Sequence, residues 1–306
     1  IPFDKDYVTY VWFDALLNYL SGIGYPDPKY FAWWSTCDHL IAKDILKPHG
    51  IYWPCMLQAA GISQYQRLNV HGYWNMGAFK MSKTLGNVSN PLDLVDTYGL
   101  ETLRYYVLRE MTFGLDAPFN EEALIARANA DLSNDLGNLL NRVVAMNEKY
   151  FGGVVQSSAK NDVLKTMVDE VRTNYIKHMN GFEFSAACEN IWKLIVFANT
   201  HIDRSAPWTL AKDPSKKTEL GALMYDLLEI IRIVGVLLRP ILPQSADKIF
   251  DQLYGDASIQ YKAAMFDKLW NWGGLPVGMT IKRGQPLFPR IETAQSAARN
   301  AQREKK

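Results

Sequence analysis

Cysteine is scarce in this sequence, and neither sign of charge is in excess. Three cysteines, Cys37, Cys55 and Cys188, lie far apart among 306 residues, and no C-x-x-C pair occurs. This spacing argues against a zinc knuckle and against a disulfide framework, and it favours a reducing compartment. The net charge is +1, so a binding site for a polyanion would have to be local.

Long apolar runs and targeting patterns are also missing. No apolar run reaches the ~18–20 residues that a membrane span needs, and no signal-peptide pattern opens the chain. We therefore expect no membrane partner and a cytoplasmic location, although an organellar protein without its leader would look the same. The first residue is Ile1 rather than Met, which suggests that further residues precede it. The length allows two domains, because single cores stop growing near ~250–300 residues.

The sequence pattern changes along the chain: it is typical of mixed strands and helices up to about residue 120 and of helices after it. In the first part, β-branched and aromatic residues predict strands at 6–13 and 67–74. A helix is predicted over 44–61, with Asp44 as a candidate N-cap, and its two prolines should kink or divide it. A strand, a helix and a strand in this order predict an α/β layer.

Apolar residues recur every three to four positions through the second part of the chain. The repeats fall in residues 130–150, 164–175, 191–198 and 223–238, and a shorter helix is expected after Pro243. Breaks rich in Gly, Pro, Ser and Asn separate these segments. Five amphipathic helices joined by such breaks predict an antiparallel bundle.

The segment GAFKMSKTLGN, residues 77–87, is polar and carries two lysines between glycines. Lys80, Ser82 and Lys83 on a flexible loop could close over a triphosphate, because lysine is a compact cation on a flexible stem. The glycines would let such a loop open and close. The P-loop consensus G-x-x-x-x-G-K-[ST] is absent, so this would be a different phosphate-binding device. A solvated surface turn is the plainer interpretation.

KMSKT resembles the KMSKS motif of class I aminoacyl-tRNA synthetases. Further segments resemble the methionyl-tRNA synthetase family in the same order: YVWFDALLNYL, AKDILKPHGIYWPCML, HGYW, LRYYVLRE, NADLSNDLGNLLNR, SAPWTLAK and GQPLFPRIE. The resemblance covers nearly the whole chain. It implies an α/β plus all-α fold, in which a partial Rossmann-like class I catalytic domain is followed by an α-helical bundle that binds the anticodon. The implied parts are a catalytic half at 1–87, a linking segment that contacts the tRNA stem at 88–120, the anticodon-binding domain at 121–255, and a C-terminal segment and tail at 256–306.

The resemblance also implies roles for single residues of the catalytic part. Lys83 would stabilise the triphosphate during adenylate formation, with Lys80 and Ser82 supporting the loop. The candidate ATP-binding residues are Ala42, Asp44, Trp74 and Lys83, and the candidate methionine-binding residues are Trp12, Ala15, Leu16, Tyr19, Ile45 and His49. Aromatic rings contact thioether sulfur favourably. Core packing is the alternative for each apolar candidate, and a plain helix cap is the alternative for Asp44.

Two positions depart from the family's usual residues. Ala42 stands where a glycine is usual beneath the adenosine, and its methyl group would push the nucleotide outward or need a compensating shift. Pro48 stands where a phenylalanine usually precedes the pocket histidine, which removes a ring and stiffens the helix. We expect these changes to alter substrate affinity more than substrate identity.

Polar residues in the helical part form a second candidate site. Asn134, Asn138 and Arg142 follow each other at intervals of four, so they share one helix face. Asparagine offers a donor and an acceptor to a base edge, and arginine adds a charged fork. The resemblance implies that Asn138, Arg142 and Trp208 read the CAU anticodon, with Trp208 as a stacking plane. The alternatives are a buried polar ladder or a solvated face for the polar residues, and a core position for Trp208.

The implied function is ATP-dependent activation of methionine to methionyl-adenylate, followed by transfer to the 3′-terminal adenosine of tRNA(Met). The expected partners are methionine, ATP with Mg²⁺, and tRNA(Met), and no zinc site is expected in this chain. The family's H-I-G-H motif and its zinc-bearing insertion do not occur here. The missing N-terminal catalytic half is therefore expected as a partner, either upstream in the same chain or as a separate polypeptide, and this chain alone is expected to be inactive.

Two other functions are compatible with the sequence. The chain could be a non-catalytic tRNA-binding module derived from a class I synthetase, which keeps the lysine loop without catalysis. It could also be a helical scaffold with a vestigial α/β cap, which would bind neither ATP nor tRNA.

Overall fold

A computed structural model describes residues 1–76, 79–80, 90–157, 161–264 and 269–292. The chain divides into two compact units. We call Ile1–Lys80 with Phe113–Pro118 the α/β unit, and the described residues of Met81–Thr112 and Phe119–Lys306 the helical unit. The four-part division implied by the resemblance stays a prediction. None of the described helices is long and apolar enough to cross a membrane.

The α/β unit contains short helices and two small sheets. Its helices are α1 (Val11–Ala15), α2 (Asn18–Ser21), α3 (Phe31–Trp34) and α4 (Trp53–Ala59), and its strands are β1 (Asp38–Ala42), β2 (Arg67–His71), β3 (Trp74–Met76), β4 (Phe79–Lys80) and β5 (Ala117–Pro118). β1 and β2 pair in parallel, with Asp38 opposite Arg67 and Ala42 opposite His71. β3 lies between β4, which is antiparallel to it, and β5, which is parallel to it.

The predicted strand at 6–13 is wrong. Its first residues have no regular structure, α1 begins at Val11, and side chains such as Val8 are exposed. A β-rich composition makes a strand only where another strand can pair with it. The first strand is β1, where exposed and buried side chains alternate. A strand, a helix and a strand do occur in this order, but as β1, α4 and β2 rather than from residues 6–13. The strand predicted at 67–74 is confirmed over β2, which ends just before Gly72.

The helix predicted over 44–61 is present in three pieces. A 3₁₀ turn covers Lys43–Ile45, a π-helical turn covers Pro48–Tyr52, and α4 follows. Pro48 opens the second piece, where its missing N–H costs little, so the predicted division at this proline is confirmed. The prediction of Asp44 as N-cap is wrong, because Ala42 occupies that position and makes no side-chain cap bond.

Gly72 explains how β2 can turn into β3. A Cβ atom at this position would lie 2.1 Å from the carbonyl oxygen of Leu115, so only glycine lets the two backbones approach. The next residue, Tyr73, donates its backbone N–H to the carboxylate of Asp116 at 2.9 Å. Asp116 also accepts from Lys43 Nζ at 2.5 Å, which joins the end of β1 to this connection.

The helical unit is built from ten further α-helices in its described residues: α5 (Pro91–Tyr98), α6 (Leu100–Glu110), α7 (Glu121–Arg127), α8 (Asn138–Phe151), α9 (Asp162–Asn180), α10 (Phe184–Ser205), α11 (Pro207–Leu210), α12 (Lys217–Leu238), α13 (Pro243–Tyr254) and α14 (Ser258–Ala263). A π-helical segment, Ala128–Gly137, joins α7 to α8. The five helices predicted from apolar spacing are confirmed, and their apolar faces form one continuous core.

α12 is buried on nearly all sides and carries an ion pair in the core. Glu229 and Arg232 are 0% and 2% exposed at the side chain, and their atoms approach to 2.7 Å. Arg232 donates to the carbonyl oxygens of Leu269 and Asn271, and Glu229 accepts the backbone N–H groups of residues 273–275. A buried pair is tolerated when its remaining donors and acceptors are satisfied in this way. The pair fixes the C-terminal segment to α12.

Candidate functional site

The candidate methionine pocket is centred on His49, which is 1% exposed. Its Nδ1 lies 2.9 Å from the carbonyl oxygen of Ile45, and its Nε2 lies 2.8 Å from the hydroxyl of Tyr19. A carbonyl can only accept, so Nδ1 carries a proton, and with that tautomer the Tyr19 hydroxyl donates to Nε2. The ring of Trp12 meets His49 edge to face at 5.5 Å between centroids. Trp12, Tyr19 and Ile45 thus converge on one imidazole.

The other two predicted pocket residues lie near α1 but differ in exposure. Leu16 is 1% exposed and packs in a small core with Trp53. Ala15 is exposed at the end of α1. Burial, followed by the nearby Cys37, raises the pKa of Tyr19, so its hydroxyl stays protonated and can donate.

A second buried histidine, His39, lies beside this group. Trp53 Nε1–H donates to His39 Nε2 at 3.1 Å, so His39 carries its proton on Nδ1. Burial and then the neighbouring His49 lower the pKa of His39 to about 4, while Asp38 acts in the opposite direction. The His39 ring is 4.4 Å from the ring of Tyr19 between centroids. No role was assigned to His39 from the sequence, because a lone histidine carries no spacing signal.

An open apolar cavity of about 520 Å³ lies beside Trp12 and Leu16. Its lining also includes Tyr10, Phe13, Tyr52, Cys55 and Met56. Aromatic rings and a thioether form most of this wall, which suits an unbranched, polarizable side chain better than a charged one.

The candidate ATP-binding residues follow β1 and β2 at the carboxyl ends of these parallel strands. Ala42 closes β1 in ordinary extended geometry (φ −80°, ψ 154°), so its methyl group causes no backbone strain. Asp44 is exposed in the next turn, and Trp74 is half-buried in β3. Open α/β sheets bind ligands at the carboxyl ends of their strands. Lys43, missed from the sequence, adds a half-exposed cation there, and its contact with Asp116 holds the pKa of that carboxyl below its usual value.

The lysine loop is described only at its start. Lys80 lies in β4, where its backbone pairs with Asn75 of β3. Ser82 and Lys83 lie outside the described residues, so their role stays a prediction. Within the described residues, no three His, Cys, Asp or Glu side chains group closely enough to hold a metal ion.

The candidate anticodon site lies on one open face of the helical unit. Asn134 and Asn138 are exposed, which excludes the alternative of a buried polar ladder. The side chain of Arg142 is 40% exposed and lies 2.9 Å from the carboxylate of Asp203 on α10. Asn199, also on α10, donates to the carbonyl oxygen of Asp135 at 3.2 Å. These contacts hold this face against α10.

Trp208 lies five residues beyond Asp203, on the short helix α11. Ala206 adopts a left-handed conformation (φ 44°), and Pro207 then opens α11 at a position where its missing N–H costs nothing. This sharp turn leaves Trp208 47% exposed, which does not favour a core role. The π-helical segment before α8 contains Asn134, and such widened turns occur frequently at functional sites.

Two family models match the chain. The model for tRNA synthetases class I (M) matches residues 1–144, and the model for the anticodon binding domain of methionyl tRNA ligase matches residues 152–304. Together with the parallel strands and the helical unit, they define a class I tRNA synthetase fold with a helical anticodon-binding domain. The predicted fold class is confirmed.

Similar proteins and solved structures identify the family within this class. The chain is 43% identical to a methionine–tRNA ligase of Fusobacterium nucleatum over 300 residues and 43% identical to that of Bacillus subtilis over 306 residues. It is also similar to a Mycobacterium tuberculosis methionyl-tRNA synthetase solved with methionyl-adenylate, with a TM-score of 0.82 and 32% identity over 95% of this chain. The chain belongs to the methionyl-tRNA synthetase family.

The matched relatives are about twice as long as this chain. The alignments take in 95% and 97% of the chain but only 47% and 46% of the F. nucleatum and B. subtilis proteins. They take in 58% of the M. tuberculosis chain.

Proposed function

We propose that this chain supplies the C-terminal part of a methionine–tRNA ligase. The ligase would join methionine to ATP as methionyl-adenylate with release of pyrophosphate, and then transfer methionine to the 3′-terminal adenosine of tRNA(Met). The N-terminal half of the nucleotide fold would be the partner that completes the active site. The proposal is supported by family membership and by the alignment with about half of each relative. We further propose a cytoplasmic location.

The observation that carries the methionine assignment is the hydrogen-bonded group around His49. Tyr19 and the backbone of Ile45 use both ring nitrogens of His49, so the imidazole cannot turn. With the edge of Trp12 beside it, this surface consists of polarizable rings. Such a surface favours a thioether over a charged side chain. His49 and its neighbours would thus select methionine by shape and polarizability.

ATP would lie along the carboxyl edge of β1 and β2. Ala42 and Asp44 would border the adenosine with Trp74, and Lys83 would meet the triphosphate as its charge changes. Side chains in class I chemistry mainly position the reactants and stabilise developing charge. Mg²⁺ would accompany the ATP phosphates and neutralise part of their charge.

Binding of tRNA(Met) would use the open face of the helical unit. Asn134 and Asn138 would bond to splayed bases of the CAU anticodon, with Arg142 as a charged fork and Trp208 as a stacking surface. Single-stranded RNA loops are recognised through these kinds of contact.

Methionine-dependent pyrophosphate exchange tests the proposal on the chain completed by an N-terminal half. His49→Leu removes the acceptor for Tyr19, so we expect the KM for methionine to rise about tenfold or more while the KM for ATP stays within about twofold. His201→Gln is the matched control, since this histidine is stacked on Phe197 in the helical unit. An unchanged methionine KM in His49→Leu would contradict the pocket assignment. RNA binding without exchange in the completed wild type would favour the non-catalytic tRNA-binding module.

A further inference from the structure

The His39 ring is enclosed by aromatic side chains of the α/β unit. It is 4% exposed, and its centroid lies 4.4 Å from the ring of Tyr19 and 4.5 Å from the ring of Tyr65. The Trp53 N–H bond fixes the plane of the imidazole. His39 therefore contacts both tyrosines in a defined orientation.

Both of these tyrosines hold the same residue. The hydroxyl of Tyr19 donates to the ring of His49, and the hydroxyl of Tyr65 donates to the backbone carbonyl of His49 at 3.0 Å. These bonds restrain the side chain and the main chain of His49 at the same time. Any shift of either tyrosine ring would release one of the two restraints.

We propose that His39 is a positioning residue for the methionine pocket: its ring keeps Tyr19 and Tyr65 apart at the distance at which both hydroxyl groups reach His49. The inference rests on the proposed function, because His49 is taken to face methionine.

Histidine suits this position better than a hydrocarbon ring of similar size. Trp53 is 1% exposed, so its indole N–H needs an acceptor inside the protein. A neutral imidazole supplies that acceptor while its ring keeps the two tyrosines apart. A protonated imidazole could not accept from Trp53.

The test compares methionine with norleucine, which has CH₂ in place of sulfur, in pyrophosphate exchange by the completed chain. In His39→Ala the tyrosines lose their spacer, so we expect the preference for methionine, measured as the ratio of the two kcat/KM values, to fall about threefold or more. The KM for methionine should rise while the KM for ATP stays within about twofold. A loss of folded protein lowers both kcat values equally and leaves the ratio unchanged.

Two further variants separate positioning from packing. His39→Gln removes the ring but keeps an acceptor for Trp53, so it should fold even if His39→Ala fails to fold. We expect the same loss of preference for methionine over norleucine in this variant. Leu57→Ala is the packing control, because Leu57 is 1% exposed in the same small core and has no aromatic ring to contact His39. It should lower stability without changing the ratio. A wild-type ratio in His39→Ala or His39→Gln would overturn the inference, whereas no exchange by the wild type would count against the proposed function instead.

Discussion

At the scale of single residues, the pocket depends on which ring nitrogens carry protons. The Ile45 carbonyl and the Trp53 indole fix opposite requirements for the two histidines: His49 must donate from Nδ1, and His39 must accept at Nε2. His39 meets its condition only as a neutral ring, because a protonated imidazole has no acceptor nitrogen. The two histidine rings lie 5.9 Å apart between centroids.

The neutral state of His39 makes the α/β unit sensitive to acid. The folded protein holds the pKa of His39 near 4, against about 6.5 in an unfolded chain. The unfolded state therefore binds a proton first as pH falls, and stability is lost between about pH 6.5 and 4. For one proton, the free energy of unfolding cannot fall by more than ~1.4 kcal/mol per pH unit, and the loss here stays below that limit. His49 and Asp38 are the groups whose charges act on His39, and the rings of Tyr19 and Tyr65 remain neutral.

Denaturant unfolding of wild type and His39→Gln at pH 7 and pH 5 measures this effect. The wild type should lose more free energy of unfolding between the two pH values than the variant does, because glutamine does not titrate. Equal losses would mean that His39 is not held neutral by its surroundings.

Lys83 is expected to act on the reaction rather than on substrate binding. If it meets the triphosphate mainly in the transition state, Lys83→Ala should lower the rate of adenylate formation by about 10²–10³-fold and leave methionine affinity nearly unchanged. Pre-steady-state adenylate formation by the completed chain is the measurement. Lys29→Ala, at an exposed lysine of the α/β unit, is the control. A rate equal to wild type would favour the interpretation of the KMSKT segment as a solvated surface turn.

At the scale of elements, α10 carries Asp203, the partner of Arg142, and α11 carries the exposed Trp208 five residues further on. Trp208→Ala should remove a stacking surface worth about 1–3 kcal/mol, which is roughly a five- to hundredfold loss in charging of tRNA(Met). Exchange without tRNA should stay near wild type, because the adenylate step does not involve the anticodon. Both assays are run on one preparation of the completed chain, with the exposed Trp33 replaced by Ala as the control. Parallel losses in both assays would identify Trp208 as a folding residue.

Helices in the second part of the chain were predictable, whereas the first strand was not. Leu223, Leu227 and Ile230 follow a helical period that no other structure satisfies, and tertiary packing reinforces it. Residues 6–13 have strand-like composition, but a strand also needs a partner, and composition does not encode one. The sequence of β1, DHLIA, alternates too briefly to be distinguished from a loop.

Candidate site residues can be grouped from the sequence where they share one motif but not where distant segments meet. Spacing alone grouped Asn134, Asn138 and Arg142, and their shared role stays a prediction. Lys43 and Asp116 are 73 positions apart, and their contact depends on the close approach at Gly72. No local sequence pattern predicts such a contact.

At the scale of the whole molecule, the two units differ in how completely their apolar surfaces are covered. Phe3, Val8, Phe13 and Leu40 in the α/β unit are between 60% and 90% exposed. A contiguous apolar patch on a protein surface marks an interaction site. An N-terminal half of the nucleotide fold is the partner that we propose for these side chains.

Purified residues 1–306 should accordingly show no methionine-dependent pyrophosphate exchange. They should still bind an RNA hairpin with a CAU loop more tightly than one with a scrambled loop, because the helical unit has its own core. Exchange is followed with labelled pyrophosphate, and hairpin binding is followed by filter retention at fixed salt. Exchange above background would show that the active site needs no further half.

The buried pair in α12 has a consequence for the order in which a ribosome builds the protein. Glu229 and Arg232 leave the ribosome before the backbone groups that satisfy them, which lie 37 to 46 positions further on. Until those groups are synthesised, closing the bundle over α12 would bury two charges whose hydrogen bonds are incomplete. We therefore expect the helical unit to close completely only after translation has passed Leu275.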